Sequence, residues 1–282
     1  MTMTETHKLN LAEALSARFS DSPDVHDAPD AAALLTSMAA RGSCRAYRET
    51  PIPDVWLDLL SAVALSSPTK SDLQQRDIIM LRSVESRAGL AALVSGQEWI
   101  ARAPMIAVFC GNNRRQRLLH KWRGVPFAND HLDAVINATG DAAIALGAFV
   151  TAAEALGLGC CPISGIRNDA RAVSQLLNLP DHVFPFAGLA FGFPMEPAPV
   201  SKRLPLSATY HTDRYEDRDL EDVVATYDDE RLSAQPYAQQ RLTNVFGEAE
   251  RYTWSEDKIR QYSQPERADF GNFLKEKGFR LE

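Results

Sequence analysis

Leu158-Gly159-Cys160-Cys161-Pro162-Ile163-Ser164-Gly165-Ile166-Arg167-Asn168 is the stretch around which the chain is organised. It follows the longest helical pattern in the sequence, reads as a short buried strand, and breaks at Ser164-Gly165. A glycine at that break carries no side chain, so backbone N–H groups there can approach a flat ligand closely. Arg167, just beyond, suits an anion or an acidic partner. The same residues also read as a strand closing in an ordinary turn. The rest of the chain has to decide between the two.

Upstream, His131 to Leu156 predicts one long helix, with Leu132, Val135, Ile136, Thr139, Ala143, Leu146, Phe149, Val150 and Ala153 as a near-continuous apolar stripe. Gly140, Gly147 and many alanines allow close approach of another helix, so this is a central core helix or the core of a dimer interface. Gly157 to Gly159 ends it. Before it, helices are expected over Leu9–Phe19, Ala31–Ala40, Asp54–Leu65 (after Pro53) and Ser86–Ala101, with Gly111–Phe127 as a basic loop. Ile78–Leu81, Met105–Cys110 and Phe184–Phe193 read as further buried strands, and Asp169–Leu177 as a helix. Three more helices are expected near Asp219–Glu230, Trp254–Arg260 and Pro265–Lys277. Strands alternating with helices point to a mixed α/β layer.

The chain has 282 residues, 45% of them hydrophobic and 24% charged, which is ordinary for a globular protein able to bury a substantial core. A net charge of −7 argues against non-specific nucleic-acid binding. No apolar run is read as approaching the ~20 residues that span a bilayer, and the N-terminus shows no export pattern, so the expected location is cytoplasmic with no membrane partner. Cys44, Cys110, Cys160 and Cys161 form no C-x-x-C pair and read as small buried apolar residues. Residues 1–30 are polar and are expected to form a loosely attached N-terminal extension.

There is no G-x-G-x-x-G after a strand, no P-loop, no H-E-x-x-H and no paired-Cys zinc spacing, so neither a nicotinamide-binding Rossmann domain nor a metal site is supported. What remains are small basic–hydroxyl clusters: Arg41-x-Ser43-x-Arg45, Thr69-Lys70-Ser71 and Ser201-Lys202-Arg203. Each alone is as readily a solvated loop. Together with a glycine-opened strand end they match a ligand with a phosphate tail and a flat polar ring.

The ordered set of motifs resembles the nitroreductase superfamily, most closely its oxygen-insensitive NADPH-dependent nitroreductase and flavin reductase group. The marks are Arg41-x-Ser43-x-Arg45-x-Tyr47, Ser95-Gly96-Gln97, Leu156-Gly157-Leu158-Gly159 and Ile163-x-Gly165-Ile166-Arg167-Asn168. Further along come Gly188-Leu189-Ala190-x-Gly192-x-Pro194, Arg203-Leu204-Pro205, His211-x-x-x-Tyr215 and Thr253-Trp254-Ser255. The likeness runs from about Leu35 to the C-terminus.

The resemblance implies an α+β fold with a mixed central sheet flanked by helices, over residues 31–282, with 206–282 as a C-terminal arm. It further implies an intertwined homodimer binding FMN. Arg41, Gly42, Ser43 and Arg203 would serve the FMN phosphate, with Ser201 and Lys202 beside them; Ser201 stands where a lysine is usual. Arg45 would lie by the pyrimidine edge, Thr69 and Ser71 would border the flavin, and Gln97 would hydrogen-bond it. Pro162, Ile163, Ser164, Gly165 and Arg167 would line it, with the backbone of Ser164 and Gly165 near N5. Arg241 and Arg267 would grip NADPH (or NADH). The implied activity is ping-pong transfer of hydride from NAD(P)H through FMN to a nitroaromatic, quinone or flavin, with positioning and electrostatics rather than a side-chain acid or base doing the catalysis. Two alternatives stand beside it: a specialised pathway flavoenzyme, motivated by the unusual Cys161–Ser164, and a non-catalytic flavin-binding module.

Overall fold

The computed structural model describes residues 10–21, 32–94 and 96–282. In chain order the elements are α1 (Leu11–Arg18), α2 (Ala32–Ala40), α3 (Asp54–Leu65), β1 (Arg76–Leu81), α4 (Val84–Leu93), β2 (Met105–Asn112), α5 (Arg114–Arg123), α6 (Leu132–Ala155), β3 (Gly159–Ile163), α7 (Ala170–Leu176), β4 (Val183–Gly192), α8 (Leu220–Ala234), α9 (Thr243–Phe246), α10 (Trp254–Tyr262) and α11 (Phe270–Glu276). They divide into two compact units: one holds the chain up to Arg41 with Pro199–Glu266, the other Gly42–Ala198 with Arg267–Glu282.

The second unit is a three-layer sandwich. Its sheet runs β1-β2-β4-β3. The central strand β2 is buried along its whole length, and its side chains alternate between two cores. Ala107 and Phe109 join Leu57 and Leu60 of α3 and Phe149 of α6 on one face. Ile106, Val108 and Cys110 join Leu90 of α4 and Val173 of α7 on the other. Phe149 meets Phe109 and Phe191 edge-to-face at 5.7 and 5.1 Å, which adds directional packing to the area it buries. A third cluster seats Phe273, Leu274 and Phe279 of the C-terminal segment against Val135, Ala138 and Phe184.

The α+β class is as expected, but the three strand pairings among the described residues are all antiparallel where a mixed sheet is expected. Alternation of strand and helix sets the layers; strand direction depends on where each connection delivers the chain. The end of β1, Leu81, pairs with Ile106 at the start of β2, so the α4 connection returns the chain to the end it left. β3 is an edge strand, the position in a sheet where Pro162 costs no ladder bond.

Two local expectations are corrected. The basic stretch read as a loop contains α5, whose Arg, Gln, Leu and Lys residues are good helix formers and which closes on Gly124 at φ 66°. Ion pairs to Asp77 (2.6 Å from Arg115) and Asp130 (2.5 Å from Arg117) hold it in place of an apolar stripe. The helix expected over Ser86–Ala101 ends at Leu93, and a 3-10 turn Glu98–Arg102 follows Gly96 at φ 73°.

The helix α6 is, among the described residues, the one long and apolar enough to cross a membrane by length and composition, contrary to the sequence reading that no run approaches that length. It is the core helix of its unit, with Ala134, Val135, Ala138, Asp141, Ala142, Ala145, Phe149, Val150 and Ala153 buried. Leu132, Ile136 and Ile144 are exposed on the same helix.

In the first unit, α1 is closed by a capping box of Asn10 and Glu13. The Asp21 carboxylate accepts from Leu206 N at 2.7 Å and Ser207 N at 2.8 Å, which ties the N-terminal segment to this unit. Thr253 caps α10, Trp254 stands edge-on to Tyr227 at 5.3 Å, and Ser255 N donates to buried Asp228 at 2.9 Å. The Thr253-Trp254-Ser255 motif therefore holds α8 to α10.

Candidate functional site

The turn Ser164–Arg167 that follows β3 is a 3-10 turn in which Gly165 and Ile166 are buried while Ser164, like Pro162 before it, is exposed. Gly165 is a close-approach position. A Cβ there would lie 2.9 Å from Val94 Cγ1 and 3.3 Å from Gln97 Nε2. The turn and Gln97, 68 residues apart in sequence and joined by no local pattern, therefore meet side by side. Arg45 lies over the ring of Trp99 at 5.8 Å, which orients its charge near the 3-10 turn Glu98–Arg102 that follows Gln97. Its neighbour Tyr47 donates to Cys44 O at 2.6 Å and Ala190 O at 3.1 Å, pinning the Ser43–Tyr47 segment to β4.

Thr69 and Ser71 lie on a loop with an unusual backbone. Ser71, Asp72 and Gln74 all have left-handed backbone, at φ 49°, 57° and 51°. Such residues cost about 1–3 kcal/mol each and persist only where surroundings over-determine them. The surroundings here are Asp141 of α6, 2% exposed, whose carboxylate accepts from Lys70 N at 2.9 Å and Gln75 N at 2.7 Å.

Arg167 donates to Phe186 O and lies 5.7 Å from the Phe186 ring. Burial first, and then the like charge of Arg267, press its pKa below the ordinary guanidinium range. Arg267, at φ 56°, donates to Asn168 Oδ1 at 3.3 Å. The expected flavin residue Arg167 and the expected nucleotide residue Arg267 are thus electrostatic neighbours. Two cations so placed favour an anion between them.

In the other unit, Arg203 donates to Ser201 Oγ at 2.6 Å, and Lys202 pairs with Glu230 at 2.9 Å. Arg241 pairs with buried Asp257 at 3.1 Å, and its backbone N–H donates to Tyr252 Oη. Arg41 and Gly42 are half-buried, where the chain passes in sequence from one unit to the other. Ser95 of the Ser95-Gly96-Gln97 motif lies outside the described residues. All four cysteines are buried thiols rather than disulfides, as small apolar residues would be, and burial pushes the Cys110 thiol well up.

Within the second unit the residues that meet are Gln97 with Gly165, and Arg167 with Arg267. Trp99, Phe186 and Asp141 are supporting residues to which no role was given from sequence. Asp141 alone carried a signal, as a charge inside an apolar helical stripe.

The Nitroreductase family profile matches residues 38–193, and that of the Nitroreductase family, C-terminal domain, matches residues 201–282. The chain belongs to the nitroreductase family. It is 30% identical over 254 residues to the FMN reductase [NAD(P)H] of Bacillus subtilis (strain 168), covering 88% of this chain and 98% of that relative. It is 33% identical over 219 residues to the oxygen-insensitive NADPH nitroreductase of Salmonella typhimurium, covering 78% of this chain and 86% of that one. The solved structure of Bacillus megaterium NfrA2 superposes with a TM-score of 0.80 at 30% identity, over 88% of this chain and 98% of that chain.

The donor chemistry of this chain fits a flavin mononucleotide. Ser43, Arg45, Thr69, Ser71, Gln97 and Arg167 offer hydroxyls, an amide and guanidiniums, with no carboxylate among them. At Gly165 a methyl would collide with buried Val94, so the turn keeps this close packing beside Gln97 only with glycine there.

Proposed function

We propose that this chain binds FMN along the edge where Pro162 and Ser164 are exposed beside buried Gly165, and uses it to oxidise NAD(P)H at the expense of a small-molecule acceptor. Supporting the reading are its relatives, an FMN reductase and an NADPH nitroreductase, each covered over most of its length. FMN, when bound, supplies a carrier that takes hydride from the nicotinamide and passes electrons to a nitroaromatic, quinone or flavin.

The chain's own residues bind and orient. Gln97 offers its amide beside Gly165, while Arg45, steadied by Trp99, places a positive charge that favours a reduced, anionic ring. Thr69 and Ser71 offer hydroxyls from the Asp141-held loop. Arg167, for the flavin, and Arg267, for NADPH, stand together as a cationic pair, and the family pattern alone assigns Arg41, Ser43, Ser201, Lys202 and Arg203 to the flavin phosphate and Arg241 to NADPH. Catalysis on this reading is positioning and electrostatics, with reductant and acceptor using one face in turn.

We further propose a homodimer in the cytoplasm. The exposed Leu132, Ile136 and Ile144 of α6, and Val55, Leu59 and Val63 of α3, leave apolar side chains in water that a second copy would cover.

The observation that carries the reading is the meeting of Gln97 with Gly165 next to exposed Ser164. Titrating FMN into wild type, Gln97→Ala and Arg45→Ala while following flavin fluorescence tests it. Saturable one-to-one binding that each substitution weakens at least fivefold is expected. Equal affinity in all three would move the flavin elsewhere.

A further inference from the structure

The loop between α3 and β1 has a turn bond of its own, from Leu73 N to Lys70 O at 2.9 Å, and a Gln74–Asp72 side-chain bond at 3.0 Å, but its course is fixed from outside as well. Arg76, 5% exposed, donates through Nη2 to Leu65 O at 2.6 Å and Ser67 O at 3.2 Å, fixing where the loop leaves α3. Gln116 donates to Leu73 O at 2.8 Å, and Arg115 donates to Gln74 O at 2.5 Å. Asp141 ties the middle of the loop to its end. Its Oδ1 takes Lys70 N and its Oδ2 takes Gln75 N, bracketing the three left-handed residues Ser71, Asp72 and Gln74.

None of those three is glycine, so the backbone relaxes toward the ordinary right-handed or extended regions once the bracket is gone. An exposed pairing would be exchanged readily for water. The Gln75 arm is buried, so an acceptor lost there leaves the Gln75 N–H with no replacement, while the Lys70 arm is part-buried. The side chains whose direction the bracket sets are Thr69, immediately before Lys70, and Ser71, immediately after.

We infer that Asp141 is a positioning residue for the flavin: its carboxylate imposes the left-handed loop that turns Thr69 and Ser71 toward the cofactor edge, although it touches neither cofactor nor substrate. The inference rests on the FMN reading above. It assigns to the helix α6, otherwise a packing element, control over one border of the site.

The test is Asp141→Asn, which keeps the volume but replaces one acceptor by a donor, so that either Lys70 N or Gln75 N loses its partner. Leu274→Ala, in the core of the C-terminal cluster, is the stability control. FMN affinity, the absorption bands of bound flavin and the amide exchange of Lys70 and Gln75 are read for each. D141N is expected to weaken FMN at least tenfold, shift the flavin bands and speed both amides tenfold. L274A should lower the melting temperature while leaving affinity within twofold. Adding Gln74→Gly to D141N restores at least threefold of the affinity, because glycine holds φ 51° without the bracket.

D141N affinity within twofold of wild type would overturn the inference, as would a loss in L274A equal to that in D141N. Should D141N not fold, exchange in the wild type decides: the two amides must be protected before FMN is added, and free exchange there overturns the bracket. A wild type that takes up no FMN overturns the functional reading and this inference with it, whereas normal wild-type uptake with unchanged D141N uptake overturns the inference alone.

Discussion

Gly165→Ala is the substitution whose consequence the structure specifies most closely. The added methyl would lie 2.9 Å from Val94 Cγ1, against the 3.5–4.0 Å at which carbon atoms rest, so about 0.6–1.1 Å must be found. Gln97 Nε2, at 3.3 Å, is the end of a flexible side chain and can swing aside. Val94 cannot. It is β-branched, 2% exposed, and packed among Leu90, Ile100, Ile163 and Ile166. The overpacking cost is about 1–3 kcal/mol, which lowers the melting temperature by roughly 2–4 °C for each kcal/mol in a chain of this size. The turn Ser164–Arg167 is the freer partner and moves away from Gln97, so FMN affinity falls at least tenfold.

Val94→Ala removes the clashing methyls. On its own it leaves a cavity and destabilises; in the G165A background it makes room. Thermal unfolding and FMN titration on the two single variants and the double variant form a cycle, and the coupling expected is about 1 kcal/mol or more in the rescuing direction. Additivity within about 0.5 kcal/mol would refute the claim that Val94 is what keeps residue 165 a glycine.

Burial, and then the charge of Arg117, hold the His182 imidazole below its ordinary pKa of 6.5. Below that pH the unfolded chain binds the proton more readily than the folded one, so stability should decline as pH falls through about 6.5. Urea midpoints at pH 7.5 and 5.5 should therefore diverge in wild type and converge in His182→Asn, which tolerates the left-handed φ of 63°. Equal midpoint losses in both would remove His182 as the cause. Ile144→Glu, placing a charge on the exposed face of α6, should turn a dimeric wild type into a monomer in sedimentation velocity; an unchanged dimer would put the interface elsewhere. Arg267→Ala should raise the KM for NADPH at least tenfold with FMN retained, and an unchanged KM would break its assignment to the nucleotide.

Much of this fold is local chemistry and was legible as such. Pro53 and Ser66 bracket α3 at the limits its apolar spacing predicts, and the glycines after Leu156 end α6. Strand positions followed from short apolar runs, but their antiparallel order did not, because it depends on where whole connections deliver the chain. The helix α5 was missed because ion pairs hold it, and ion pairs leave no periodicity.

The site was legible only as a set of residue types in order. Nothing near Gly165 in sequence announces Gln97 or Val94. Nothing in Ser66–Gln75 announces three left-handed residues, because the carboxylate that imposes them belongs to a helix 66 residues past Gln75. The pairing of Arg167 with Arg267 spans 100 residues, and its signature is a shifted guanidinium rather than a motif.

The most direct test of the central claim is the anaerobic visible spectrum of the purified protein with FMN, before and after NADPH is added. The account predicts protein-bound flavin that bleaches promptly on addition of NADPH and recovers its colour when a quinone follows. Bound flavin untouched by NADPH or NADH would contradict the oxidoreductase reading, and absence of any bound flavin would contradict the site itself.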